Sequence, residues 1–189
     1  MAGCSGPPLY PLSASGPWGV RRLIEGIGFG AFEQAISELP RRLRVKRARE
    51  LIGKIVMDAP PENLEISVDG ESIAGRFAVV EITAIPLVGP RLPLAPEADP
   101  SDRSLEICFV GDAAAERQGF AHWLEDPDSA QAVPASLRHA QRVMVAGQFR
   151  RIRLDSKIWE GEPDPRTAIL WPVIGVVTEP QPLHFLVSG

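Results

Sequence analysis

The stretch that most limits what this chain can fold into runs LEISVDGESIAGRFAVVEITAI, from Leu64 to Ile85. Apolar residues recur there with period two at Leu64, Ile66 and Val68. Asp69-Gly70 follows, and then Ile73. Such alternation is the pattern of a half-buried strand, and Asp-Gly readily takes the φ > 0 turn that matches strand twist. The segment predicts a hairpin whose second strand lengthens into a more continuous apolar run from Phe77 to Ile85, bounded by Pro86 and Gly89-Pro90. A chain built around it is committed to a sheet.

The rest of the sequence repeats that theme. SLEICFVGD predicts a strand near 104–110, RVMVAGQFRRIRLD two strands around Gly147, and AILWPVIGVVTE and PLHFLVSG the last two. Prolines 172, 180 and 182 cut these short. Helical spacing is confined to four places. Phe32, Ala35, Ile36 and Leu39 share one face of a helix over 31–39. After Pro40, a second helix is expected over 41–57, with Leu43, Arg47, Leu51 and Ile55 at helical spacing and Pro60-Pro61 closing it. A short amphipathic helix is expected over 113–125, and a helical turn over 136–140. Leu23 to Phe29 reads as a buried strand that ends in a tight turn. Residues 1–20 read as an irregular arm and 21–189 as one domain. The fold class expected is α+β, mostly antiparallel β, a two-layer sandwich-like domain with one or two helices near the start. Strands do not alternate with long helices, which argues against a doubly wound parallel sheet.

Charge and motif content narrow the chemistry. A formal net charge of −4 offers no general attraction to nucleic acid or anionic lipid, so any such contact must be local. Cys4 and Cys108 have no metal-ligand spacing and read as reduced thiols of a cytoplasmic protein. No apolar run reaches the roughly 20 residues that span a bilayer. There is no GxxxxGK[ST] phosphate loop and no GxSxG serine elbow, and His122, His139 and His184 lie far apart. The glycines of IEGIGFG precede a helix, the right order for anion binding, but close helix–strand packing is the simpler account of them. The basic run Arg41, Arg42, Arg44, Lys46, Arg47 and Arg49 cannot share one helix face. It reads as a solvated face, with peripheral contact to phospholipid headgroups as the sharper alternative. Glu97, Asp99 and Asp102 precede a strand in a proline-rich loop, where carboxylates and carbonyls can hold a hard cation such as Mg²⁺ or Ca²⁺. An exposed acidic turn explains the same spacing.

Several of these segments, in order, resemble the diacylglycerol kinase and sphingosine kinase family of lipid kinases. EITAIPLVGPRLPLAPEADPSDRSLEICFV is similar to the family's strand, Asn, glycine loop, P-x-A and D-G-x-L-D turn. IEGIGFGAFEQAI resembles the entry into the family's second domain, and RIRLDSKIW with PVIGVVTEPQPLHFLV the closing strands. The resemblance runs from about Arg21 to Val187. It implies the carboxy-terminal, lipid-receiving domain alone, because the GGDGT motif of the nucleotide-binding domain is absent from the sequence. ATP would therefore require that other domain.

The resemblance also assigns residues. Asp102 matches the turn Asp that helps hold a structural Mg²⁺ in bacterial members, with Asp99 and Ser104 placed to add carbonyls. Arg103 replaces the turn glycine, which would reshape the turn, and Ala84 replaces the usual Asn. Lys157 stands where a D-G-E motif carries the Glu proposed as proton acceptor, and a lysine cannot do that work at neutral pH. Glu160 or Glu162 would substitute for that Glu only through a shifted loop. Leu87, Val88, Leu92 and Leu94 are candidates for the apolar rim of a lipid site, with ordinary packing as the alternative. The implied partners are a lipid substrate such as diacylglycerol, the missing domain or a second copy of the chain, and no nucleic acid. A non-catalytic scaffold binding lipid or protein is the competing function.

Overall fold

The computed structural model describes residues 8–38, 43–128, 132–149, 151–161 and 172–184. The eleven strands among them are all paired antiparallel in one sheet. They are β1 (Leu12–Gly16), β2 (Gly19–Leu23), β3 (Gly26–Gly30), β4 (Glu62–Val68), β5 (Glu71–Thr83), β6 (Leu105–Gly111), β7 (Ser136–Ala140), β8 (Arg142–Gly147), β9 (Arg151–Leu154), β10 (Lys157–Glu160) and β11 (Val173–Thr178). Three helices accompany them: α1 (Ala31–Glu38), α2 (Val45–Asp58) and α3 (Ala114–Trp123). The α+β, mostly antiparallel class expected from the sequence is what the chain adopts.

The sheet path is β10-β9-β3-β5-β4-β8-β11-β1-β2, with β6 and β7 branching from β5. β5 is the pivot. Its first half pairs with β4, and its second half pairs with β3 and β6. A register irregularity between Phe77 and Val79 marks the change, as expected of a bulge, which bends its strand and increases local twist. The two layers are thus halves of one curled sheet. At its far ends the rings of Trp18 and Trp159 meet edge to face with centroids 5.2 Å apart.

Period two decides which side of each strand meets the core. Leu64, Ile66 and Val68 of β4 point inward with Val143 and Val145 of β8 and Ile174 and Val176 of β11. Ile27, Val80, Ile82 and Ile107 close the core from the other layer. A second core lies on the opposite face of β5 and β6. There Val79, Cys108 and Val110 pack with Phe32 of α1, Ile52 and Val56 of α2 and Phe120 of α3. Cys108 is a buried free thiol, and burial pushes its pKa up. Cys4 lies outside the described residues.

Four local expectations differ from what is found. Residues 136–140 form β7 rather than a helical turn, because β6 offers a free edge and Glu106 faces His139 across the pair at 2.8 Å. Within the segment read as an irregular arm, Leu12 and Ala14 are fully buried in β1, alternating with Ser13 and Ser15. The strand expected over 23–29 is two strands with a corner at Ile24-Glu25. The second helix begins at Val45, and its buried side is Ala48, Arg49, Ile52, Gly53 and Val56.

Arg117 of α3 closes α2. Its guanidinium donates to the carbonyls of Val56 and Ala59, both at 2.8 Å, and pairs with Asp112 at 2.7 Å. These carbonyls are among those a helix end leaves without an internal partner.

Candidate functional site

Polar side chains buried in an apolar core point to function more often than exposed ones do. Here they gather at one end of β3, β5 and β9. Glu81 of β5 and Arg153 of β9 are both fully buried and form an ion pair across β3. Gly28 lies between them in register, opposite Glu81 on one side and Arg153 on the other. A Cβ at Gly28 would collide with Glu81 Oε2 and come within 3.1 Å of Arg153 Nε. The glycines of IEGIGFG are explained by this. Gly28 makes room for a buried pair, and Gly30, at φ +79, turns the strand into α1 with its Cα 'face' against the carbonyl of Ala78.

The pair belongs to a wider network. Arg153 donates to the carbonyl of Asp155 and lies 3.5 Å from Glu25. Glu25 in turn accepts from the Gly89 N–H. Thr83 Oγ1 donates to the Glu25 carbonyl at 2.7 Å. Burial pushes the Glu81 carboxyl up to about 8, against the pull of Arg153 and with help from Glu25 and Asp155. Among the described residues, Glu81 Oε2 and Arg153 Nε have no hydrogen-bond partner.

Asp155 clamps the β9–β10 turn to the β2–β3 corner. Its carboxylate accepts from the N–H groups of Ile24 (3.0 Å), Glu25 (2.8 Å) and Gly26 (3.0 Å). Its own N–H donates to the Gly26 carbonyl at 2.9 Å. Asp155 sits at φ +52, a conformation that Asp tolerates better than most residues. The same device recurs in the β4–β5 turn. Asp69, at φ +49, accepts from the N–H groups of Gln141 and Arg142 at the start of β8. The sequence announced the second turn through Asp-Gly and hid the first behind Asp-Ser.

A loop forms the other wall. Val88 and Leu92 exchange both backbone hydrogen bonds at 2.9 Å, leaving Gly89, Pro90 and Arg91 at the tip. Arg49 of α2 holds that tip by donating to the carbonyls of Pro90 (3.3 Å) and Arg91 (2.7 Å), while pairing with Asp128 at 2.8 Å. One member of the basic run is therefore a buried brace. Arg47 pairs with Glu50, Arg44 and Lys46 are exposed, and Arg41 and Arg42 lie outside the described residues.

The residues singled out from sequence fall in three places. Lys157 is exposed at the first position of β10, beside the clamped turn. Glu160 is exposed and pairs with Arg151 at 3.1 Å. Glu162 lies outside the described residues. Of the four leucine and valine candidates, Val88, Leu92 and Leu94 are buried in the helix-side core, and Leu87 alone is exposed. Ala84 is buried in the inter-layer core.

Asp99, Asp102 and Ser104 occupy the loop before β6. Asp99 accepts from the N–H and hydroxyl of Ser101 at 2.8 and 2.7 Å, which holds its carboxyl below the usual range. Asp102 accepts from the Ser104 N–H at 2.8 Å and donates its own N–H to the Asp99 carbonyl. Among the described residues no three His, Cys, Asp or Glu side chains converge as metal ligands. The Asp99 carbonyl accepts that Asp102 N–H, and each of the two carboxylates keeps one oxygen outside these hydrogen bonds. Arg103 takes a left-handed backbone, at φ +62, the conformation that glycine adopts most easily. Its guanidinium lies 4.5 Å from the Tyr10 ring centroid and donates to the Pro180 carbonyl at 3.0 Å.

Three solved structures of Bacillus anthracis str. Sterne proteins share the fold, two titled "putative diacylglycerol kinase" and one "diacylglycerol kinases". Their TM-scores are 0.57, 0.59 and 0.54, at 11%, 12% and 16% sequence identity. The likeness is one of fold. It covers 90%, 91% and 90% of this chain, and 54%, 54% and 53% of those proteins. The chain thus spans about half the length of the structures it matches. No family model and no curated protein matches the sequence.

Sequence reasoning missed Glu81, Arg153, Asp155 and Glu25 as a group. One signal was present: Glu81 interrupts an apolar run from Phe77 to Ile82. Its partner, 72 residues away, is brought close only by the pairing of β3 with both β5 and β9.

Proposed function

We propose that this chain is the lipid-side domain of a diacylglycerol kinase-like phosphotransferase. In this reading it receives a lipid such as diacylglycerol and presents the hydroxyl at the end bounded by the Asp155 turn and the 86–92 loop. The observation that supports it most is the fold shared over about nine-tenths of the chain with half of each diacylglycerol kinase.

The chemistry divides accordingly. Phosphoryl transfer is driven by positioning and by stabilising the triphosphate charge. The residues here have no loop for that task, so ATP and its Mg²⁺ would be held by a nucleotide-binding domain. What this chain would contribute is a braced edge. Arg153 holds the Asp155 carbonyl, Asp155 holds the β2–β3 corner, and Arg49 holds the facing loop. Native mass spectrometry of the purified chain tests the reading. A co-purifying or added diacylglycerol retained by the chain supports it, and a lipid-free domain that ignores added diacylglycerol counts against it.

One observation favours a second reading, a non-catalytic lipid- or protein-binding scaffold. Lys157 occupies the position that resembles the family's proton-accepting Glu. Joining the chain to a diacylglycerol kinase nucleotide-binding domain separates the two. Kinase activity that appears only with Lys157→Glu favours the scaffold for the natural sequence, and activity without that change favours the enzyme.

A further inference from the structure

The tip of the 86–92 loop is tied to the buried ion pair of β5 and β9 through one side chain. Glu25 accepts from the Gly89 N–H and lies 3.5 Å from Arg153, which is paired with Glu81. Glu81, Arg153, Glu25 and Gly89 thus form one line of contacts from the sheet to the loop. The loop end of that line holds a costly backbone. Arg91 sits at φ +57, a left-handed conformation that a residue with a Cβ keeps only while its surroundings enforce it. Arg49 does so through the carbonyls of Pro90 and Arg91, and Glu25 through Gly89.

The buried end of the line has room for a proton. Glu81 has one carboxyl oxygen on Arg153, and the other, Oε2, is buried without a partner among the described residues. Burial is the largest influence on this carboxyl and raises it to about 8, with Glu25 and Asp155 adding to the rise and Arg153 opposing it. The other groups packed around it supply no second cation. Cys108 of β6 lies opposite Glu81 in register, and burial keeps its thiol protonated. Gly28 of β3 has no side chain. Glu33 of α1 is turned to Arg151 at 2.9 Å and Arg49 of α2 to Asp128 at 2.8 Å, and the Asp155 carboxylate accepts three N–H groups.

We propose that the Glu81–Arg153 pair is a proton-operated latch on the 86–92 loop. With Glu81 neutral, the buried guanidinium is left to Glu25, and Glu25 stays in place as the acceptor for Gly89. With Glu81 ionised, two carboxylates share one enclosed cation and repel each other where little water screens them. Glu25 is then pushed from Arg153, and the Gly89 N–H loses its acceptor. The loop is therefore held firmly at lower pH and slackens as pH rises through the titration of Glu81. The coupling is reciprocal: if the charge on Glu25 raises Glu81, removing that charge lowers it. Nothing in this line of contacts requires the lipid-side reading.

The test is carbon-detected NMR of the isotope-labelled full chain from pH 6 to pH 10, a detection that amide exchange with water does not blur. The side-chain carboxyl carbons of Glu81 and Glu25 and the backbone nitrogen of Gly89 are expected to shift together, with one midpoint at about 8. In Glu81→Gln the shifts of Glu25 and Gly89 at that midpoint should vanish. In Glu25→Gln the Glu81 midpoint should move to lower pH. Thermal melts confirm that each variant folds. A Glu81 carbon that does not titrate in this range overturns the latch, and so does one that titrates while Gly89 stays still. Both outcomes are read in the natural protein, so a variant that fails to fold does not remove the test. A Gly89 shift that survives Glu81→Gln, or a Glu81 midpoint that Glu25→Gln leaves in place, overturns it as well.

Discussion

At Glu81 a carboxyl group is fully enclosed with a single cation, and its pKa rises to about 8. The fold therefore binds a proton that the unfolded chain releases near 4.5. Between those values the folded state holds more protons, so stability falls as pH rises. Glu81's contribution is fully present below about 4.5 and is lost progressively up to about 8. Melting temperature followed from pH 5 to pH 8 should decline more steeply in the natural protein than in Glu81→Gln, which carries no titrating proton there. Parallel slopes would show that Glu81 is ionised throughout. The glycine beneath the pair is equally exacting. Gly28→Ala puts a methyl group against both partners and should cost about 1–3 kcal/mol, the usual penalty for overpacking a filled core. Urea denaturation measures it.

Asp155 separates two effects at one position. Asp155→Gly relieves the strain of the positive φ, so any loss of stability it shows is owed to the missing carboxylate and the freer unfolded chain. Hydrogen bonds to charged groups contribute about 1.5–3 kcal/mol, so the expected loss in urea midpoint corresponds to about 2–3 kcal/mol. A loss near zero would mean that water serves the three N–H groups as well as the carboxylate does.

At the scale of elements, the Asp99–Ser104 turn shows how a residue with a Cβ is held in a left-handed backbone. Arg103 accepts a left-handed backbone that costs about 1–2 kcal/mol in a residue with a Cβ. It recovers part of this through Tyr10 and Pro180. Arg103→Ala keeps the strain and drops the contacts, whereas Arg103→Gly drops both. The alanine variant should therefore be the less stable by about 1 kcal/mol, visible as a lower urea midpoint. The strands near this turn show where local pattern sufficed. β4, β5 and their Asp-Gly turn were legible because alternation and turn chemistry both lie within a few residues. β1 was not, because prolines and glycines surround a strand only five residues long, and its burial comes from β11, more than 150 positions away. β7 looked helical for a related reason. Four of its five residues are exposed, so no apolar periodicity marks it, and it is a strand because β6 has an edge to pair.

At the scale of the whole molecule, the main path of the curled sheet runs from β10 to β2, which are not paired with each other among the described residues. Trp18 and Trp159 join them. Aromatic pairs add about 0.5–1.5 kcal/mol beyond the area they bury. Trp159→Ala should leave the central strands β4, β5 and β8 protected and raise amide hydrogen exchange selectively in β2 and β10. Uniformly faster exchange would show that closure supports the entire fold. The sheet also explains why the helices all sit on one side. The second half of β5, with β6, has apolar residues on both faces, and Val79, Cys108 and Val110 require cover.

Local alternation, turn dipeptides and helical spacing determined that this chain is an antiparallel α+β domain with helices near its start, because each signal acts over a few neighbouring residues. The ordered motifs also carried the likeness to lipid kinases before any geometry was known. Tertiary structure alone decided that Glu81 meets Arg153, that Asp155 holds the β2–β3 corner, and that Val88, Leu92 and Leu94 pack inside while Leu87 stands out. Those outcomes depend on which strands lie side by side. Long-range pairing is set by the burial of the whole apolar surface at once, and no short window of sequence contains it.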